Sequence, residues 1–287
     1  MTDLKSKAIL LLTCPDQKGL VSGISNYIFN NGGNIITLHE HVDTNEKVFF
    51  LRVVWDMDGF DISKEKLEKD FLPFAEELKA NWQINYTGRK LKIAVFVSKY
   101  EHCLQEILWR HSLPDYPAEI SMVVSNHPDL KPIADYHRIP FHIFPINEEN
   151  KSEQEEKEIE LLNKNNIDTI VLARYMQILS DKFVRTYSNR IINIHHSFLP
   201  AFSGGHPYKQ AYDKGVKIIG ATSHYVTKDL DEGPIIEQDI IRISHRDSID
   251  DLIRKGRDME KIVLARAVYY HSTHRILVNG NKTIVFD

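Results

Sequence analysis

The chain has 287 residues, 42% of them hydrophobic, enough for two domains with cores of their own. A formal net charge of −4 gives no electrostatic case for nucleic acid or an acidic membrane surface, and no apolar run approaches the ~20 residues that span a bilayer. The two cysteines, Cys14 and Cys103, sit in apolar surroundings and read as free buried thiols; with no signal-peptide core at the N-terminus, a soluble cytoplasmic protein is expected.

In chain order, Ala8–Thr13 is a strand-like apolar run, and the turn Asp16-Gln-Lys-Gly19 leads into an amphipathic helix over Leu20–Asn31 that Gly32-Gly33 ends. Strands are predicted at Asn34–Val42 and Lys47–Trp55, a helix over Asp61–Asn81, and a closing strand at Trp82–Tyr86. That order is βαββαβ, a ferredoxin-like unit covering residues 1–87. After a linker at Gly88-Arg-Lys a second unit covers 91–287. Its strands are predicted at Ile93–Val97, Ile120–Val124, Phe141–Phe144, Thr169–Ala173 and Arg190–Ile194. Helices alternate with them at Cys103–His111, Lys131–His137, Glu153–Asn165 and Lys182–Thr186. Such alternation predicts a Rossmann-like α/β fold with a mostly parallel sheet. A helix at His206–Asp213, strands at Ile218–Val226 and Ile235–Ile243, and a long helix over Ile249–His274 follow. Strands Ile276–Val278 and Thr283–Phe286 then flank the hairpin turn Asn279-Gly280.

The chemistry concentrates in Asn193-Ile-His-His-Ser-Phe-Leu-Pro200 and Leu230-Asp-Glu-Gly-Pro234. Asn193 and His195 alternate with Ile192 and Ile194, so they share one face near the C-terminal end of a strand, where open α/β sheets bind ligands. An Asn N–H stabilises an oxygen that turns negative when a carbonyl is attacked. A His donates a proton to that oxygen or to a leaving nitrogen. Asp231 either orients the imidazole or holds an attacking water. The set suits acyl transfer through a tetrahedral intermediate, without a Gly-x-Ser-x-Gly nucleophile. His196, His206 and His224 invite a metal reading, but adjacent His195 and His196 on a strand should face opposite ways, and the spacing fits no common zinc pattern, so no metal is expected.

These motifs resemble the formyltetrahydrofolate-dependent formyltransferases, which carry Asn-x-His-Pro-Ser-x-Leu-Pro, a later His (here His224) and Leu-Asp-x-Gly-Pro. The resemblance spans residues from about Lys92 to the end of the chain and implies that Asn193, His195 and Asp231 are catalytic. His196 stands where most of the family has Pro; His-His-Ser-Phe-Leu-Pro is instead similar to the formyltetrahydrofolate deformylases. That implies hydrolysis of 10-formyltetrahydrofolate to formate and tetrahydrofolate, with formate feeding purine synthesis, water as co-substrate and no separate cofactor. In related glycinamide ribonucleotide formyltransferases a Gly-rich loop after the first strand holds the acceptor's phosphate. Here that position reads Val97-Ser-Lys-Tyr-Glu-His-Cys-Leu104, bulky and without glycine, which also favours water as nucleophile.

The same resemblance places Arg174, Met176, Gln177, Ile178, Leu179 and His224 at the folate cleft, although Met176, Ile178 and Leu179 equally suit a core. Cys14-Pro-Asp-Gln-Lys-Gly-Leu-Val-Ser22 is similar to an ACT domain, which implies an amino-acid effector held by Asp16, Gly19 and Leu20 with Asn34 and Ile35 across the groove, and a homo-oligomer. Two other activities remain open on the sequence: transfer of the formyl group to a non-phosphorylated amine, and a non-catalytic amino-acid sensor.

Overall fold

A computed structural model describes residues 6–114, 116–201 and 207–287, and the chain divides into two units. The first holds residues up to Lys90 together with His274–Asn279 and Ile284–Asp287; the second holds Leu91–Thr273 and Gly280–Thr283.

The first unit runs β1 (Lys7–Pro15), α1 (Leu20–Asn30), β2 (Asn34–Asp43), β3 (Val48–Asp56), α2 (Lys64–Glu77) and β4 (Asn81–Tyr86). Its sheet order is β2-β3-β1-β4, every neighbouring pair antiparallel, the arrangement expected of βαββαβ. Leu10 and Leu12 pack with Leu20, Ile24 and Ile28 of α1 and Leu67 and Phe71 of α2. Leu11 and Phe50 join Leu277 and Phe286 in a separate cluster. Successive residues of a strand face opposite ways, so β1 is buried on both faces and reads as an unbroken apolar run. Helix α2 starts later than Asp61 because Phe60 packs on Trp55 at 5.7 Å and the Asp61 N–H donates to the Asn31 carbonyl, which holds the preceding residues in a turn. Gly33 closes α1 tightly: a Cβ there would stand 2.6 Å from Ile28 Cγ2. At the C-terminus, β12 (Ile276–Asn279) and β13 (Lys282–Val285) form the expected hairpin.

The second unit contains β5 (Leu91–Val97), α3 (His102–His111), β6 (Ala118–Ser125), α4 (Lys131–Tyr136), β7 (Phe141–Ile143) and α5 (Lys151–Lys164). It continues with β8 (Thr169–Leu172), α6 (Asp181–Thr186), β9 (Ile191–His195), α7 (Pro207–Lys214), β10 (Ile218–Tyr225), β11 (Ile235–Arg242) and α8 (Ile249–Ser272). The seven strands lie in the order β11-β10-β9-β8-β5-β6-β7, with β9 through β7 parallel and β10 and β11 antiparallel at one edge. Ala94, Phe96, Met122, Val124, Ile170 and Leu172 pack with Leu162 of α5 and Phe183 of α6, while α8 runs along β9, β10 and β11 and against α3. A capping box between Ser248 and Asp251 starts α8. The helix expected from His206 begins at Pro207 in the described chain, and His206 lies outside the described residues. Among the described residues no helix is long and apolar enough to cross a membrane.

Candidate active site

Strand β9 delivers Asn193 and His195 from its C-terminal end, and β10 lies antiparallel beside it. The register puts His224 directly opposite Asn193 and Thr222 opposite His195, so all four share one face. Asn193 Nδ2 lies 3.2 Å from His224 Nε2. His224 Nδ1 lies 2.9 Å from the Tyr225 carbonyl, which fixes the ring: Nδ1–H donates to that carbonyl and Nε2 accepts from Asn193. Asp231 arrives from the loop between β10 and β11 with a left-handed backbone, φ 58°. That loop is pinned to the end of β10 by the Tyr225 N–H, which donates to the Pro234 carbonyl at 2.9 Å. Gly233 makes the approach possible, because a Cβ there would stand 1.8 Å from the Tyr225 carbonyl oxygen. Asp231 Oδ2 is 3.1 Å from His195 Nδ1, and its Oδ1 is 3.6 Å from His224 Nε2.

Burial alone would raise the Asp231 carboxyl, but the His195 hydrogen bond holds it well below the usual carboxylate range. Asp231 is therefore ionised at neutral pH. His195 is 5% exposed, and its Nε2 is buried without a hydrogen-bond partner while Nδ1 faces Asp231. An orphan nitrogen of this kind, on the wall of a cavity, is a proton donor or acceptor waiting for a ligand atom.

The cavity has a volume of about 760 Å³ and is lined by Asn193, His195 and Asp231 together with Arg174, Met176, Gln177 and Ile178. Met176 and Ile178 are 57% and 61% exposed, so neither is a core residue; they are an apolar surface for a ligand to cover. Two expected cleft residues are placed otherwise. Leu179 packs against the core cluster containing Tyr175 and Phe183, and His224, 2% exposed, does not line the cavity but supports Asn193. His195 and His196 do not face opposite ways: β9 ends at His195, the pleat stops there, and the two rings lie 5.3 Å apart in the same cavity. Burial, reinforced by the Arg174 charge, pushes His196 down to about 4 and keeps it neutral at pH 7.

Residues without a local sequence signal complete the wall, among them Tyr100, His102, Tyr208 and Glu260. Glu260 accepts from the Tyr208 hydroxyl at 2.5 Å and lies 2.7 Å from His102 Nε2. Gly256, one turn earlier on α8, leaves the space that Tyr208 occupies. His102, Cys103 and Glu260 bring ligand-type atoms within 4.8 Å of one another. Two of the three are already hydrogen-bonded to each other, and burial, with the Glu260 charge, holds the Cys103 thiol protonated. Glu260, 1% exposed, could have been suspected as a charge on the apolar stripe of α8; His102 is 158 residues away and could not.

In the first unit, Gly19 caps α1 with φ 90°, Leu20 is buried, and Asp16 is exposed. Asn34 and Ile35 pair with Asp56 and Trp55 of β3, level with Lys7 and Ala8 of β1. Asp16 follows the opposite end of β1, roughly 25 Å away at ~3.3 Å per residue. Within one chain, Asp16, Gly19 and Leu20 therefore do not share a groove with Asn34 and Ile35.

Comparison with known proteins places the chain in a family. Residues 91–268 match the formyl transferase family. The chain is 53% identical to formyltetrahydrofolate deformylase from Synechocystis sp., over 97% of this chain and 98% of that one. It is 48% identical to the Bacillus subtilis formyltetrahydrofolate deformylase over 99% and 95%. The crystal structure of a formyltetrahydrofolate deformylase from Pseudomonas syringae pv. tomato superposes with a TM-score of 0.96 at 41% identity, covering 100% of this chain and 96% of that one. The chain belongs to the formyl transferase family and, within it, to the formyltetrahydrofolate deformylases.

Proposed function

We propose that the second unit hydrolyses 10-formyltetrahydrofolate to formate and tetrahydrofolate. The observation that carries this is the convergence of Asn193, His195 and Asp231 on one cavity wall, with His195 Nε2 unpartnered and Asp231 held ionised. The pterin ring system lies along Met176, Gln177 and Ile178, with the formyl group at the trio. Water attacks the formyl carbon. Asp231 orients that water and, weak base though its depressed pKa makes it, takes the proton as the new O–C bond turns the water acidic. An Asn193 N–H and a protonated His195 Nε2 stabilise the oxyanion. As the C–N bond breaks, the His195 proton passes to the folate nitrogen. The balance is one amide plus one water to one amine, one formate and one proton. No resident cofactor is assigned, because amide donors and proton transfer suffice to activate a formyl group.

In the first unit, a small effector fits Asp16, Gly19 and Leu20 of one chain completed by Asn34 and Ile35 of a second copy, since the sheet register separates the two sets within one chain. Two free buried thiols suit a cytoplasmic setting. The experiment is to incubate the purified full chain with 10-formyltetrahydrofolate in amine-free buffer. Formate and tetrahydrofolate should appear in equal amounts. Turnover that begins only when an amine is added means formyl transfer instead.

A further inference from the structure

The cavity holds a cation that the proposed hydrolysis does not use. Arg174 follows β8, with a left-handed backbone at φ 64°. Its side chain is 10% exposed and lines the same cavity as the trio. Its Nε and Nη1 are buried and make no hydrogen bond. The counter-charge beside it is weak in geometry: Glu260 Oε2 stands 3.5 Å from Nη1, and both Glu260 oxygens are already engaged, one with His102 and one with Tyr208. Tyr100 supports the guanidinium from one side, its ring centroid 5.0 Å away. A buried guanidinium with unmade hydrogen bonds is costly unless a ligand completes it, and a carboxylate is the group whose two oxygens match its planar fork.

Hydrolysis makes such a group. Before cleavage the formyl carbon is part of a neutral amide; afterwards it is an anion in a cavity whose other wall carries ionised Asp231. Asp231 repels that product. His196 lies beside the trio, its ring 5.3 Å from that of His195 and 5.9 Å from that of Tyr208, and Tyr208 shares Glu260 with Arg174. We propose that Arg174 is a carboxylate-binding residue that receives the formate ion within the same cavity. This rests on the hydrolysis proposed above, but its test does not.

The probe is carbon-13 formate added to the full chain without folate, with binding read from line broadening of the formate resonance. The unaltered chain should bind, and Arg174→Met should weaken binding at least roughly tenfold, the usual scale for a lost charged hydrogen bond. Arg257→Met, at an exposed cation of the same cavity, should leave binding within about a factor of two. Should Arg174→Met fail to fold, Arg174→Gln, which keeps a donor toward Glu260, carries the same expectation. No binding by the unaltered chain, or equal binding by the Arg174 variants, overturns the proposal. The folate tail is the other carboxylate source: if Arg174→Met weakens folic acid but not pteroic acid, and formate binding is unchanged, Arg174 serves the tail and the proposal fails. A chain that binds formate through Arg174 but releases none from 10-formyltetrahydrofolate refutes the hydrolysis and leaves the anion site standing.

Discussion

Asn193 and His224 are 31 residues apart in sequence and directly opposite across the β9–β10 ladder. His224 spends its Nδ1 proton on the Tyr225 carbonyl, so its Nε2 accepts one Asn193 N–H and leaves the other for an oxyanion. Asn193→Ala should therefore lower kcat by about 10²–10³. Because His224 then loses one buried partner, stability should fall by only about 1 kcal/mol. Stopped or initial-rate assays of formate release, beside a thermal melt, measure both. A variant turning over within a factor of a few of the unaltered chain would remove Asn193 from the oxyanion site.

Two elements set the cavity wall, and each offers a separate test. The β10–β11 loop stands on Gly233, whose Cα hydrogen faces the Tyr225 carbonyl where no Cβ fits. Gly233→Ala must shift the backbone two residues from Asp231. A displacement near 1 Å costs on the order of 10²-fold in rate, so activity should drop by about that much while the circular dichroism spectrum is retained. Behind the loop that follows β8, α5 buries two carboxylates. Glu158 accepts from the Tyr175 hydroxyl at 2.9 Å, and Glu155 accepts from the Ser180 N–H at 3.0 Å. Burial raises Glu158 to about 7, partly opposed by the Tyr175 bond and assisted by Glu155. A carboxyl raised in the folded state binds its proton more tightly there than when unfolded at ~4.3, so stability declines as pH rises from about 4.3 to about 7 and is level above. Glu158→Gln removes that dependence and can still accept from Tyr175. Relative to the unaltered chain it should gain on the order of 2–3 kcal/mol between pH 5 and pH 8, read as a rise in the difference between their melting temperatures.

At the scale of the whole molecule, each unit has its own core: the sheet and helices around Leu51 and Phe71 in one, the sheet around Phe96 and Leu172 in the other. An amino acid bound by the first unit should raise the melting temperature of the full chain, by the equivalent of about 2.7 kcal/mol at a hundred times its dissociation constant. Screening single amino acids by thermal melt finds such an effector, and Asp16→Ala should abolish its shift. If no amino acid moves the melt of the unaltered chain, the first unit has no such ligand.

The order of elements in both units was legible because hydrophobic period and turn residues are local properties: Gly33 and Asn279-Gly280 mark chain reversals whatever surrounds them. Asn193, His195 and Asp231 were legible too, as residue types of fixed chemistry in short motifs. Their meeting was not, since it depends on the register of β10 against β9 and on a loop that closes only where Gly233 lets backbone touch backbone. Side-chain direction was decided at the same level: the end of β9 turned His196 into the cavity, and packing set Leu179 against the core while leaving Met176 and Ile178 outside. The pairing of Arg174 with Tyr100 and Glu260 had no trace in the sequence at all. A one-dimensional pattern encodes which residues seek burial, but which charges end up sharing a cavity is fixed only when distant elements pack.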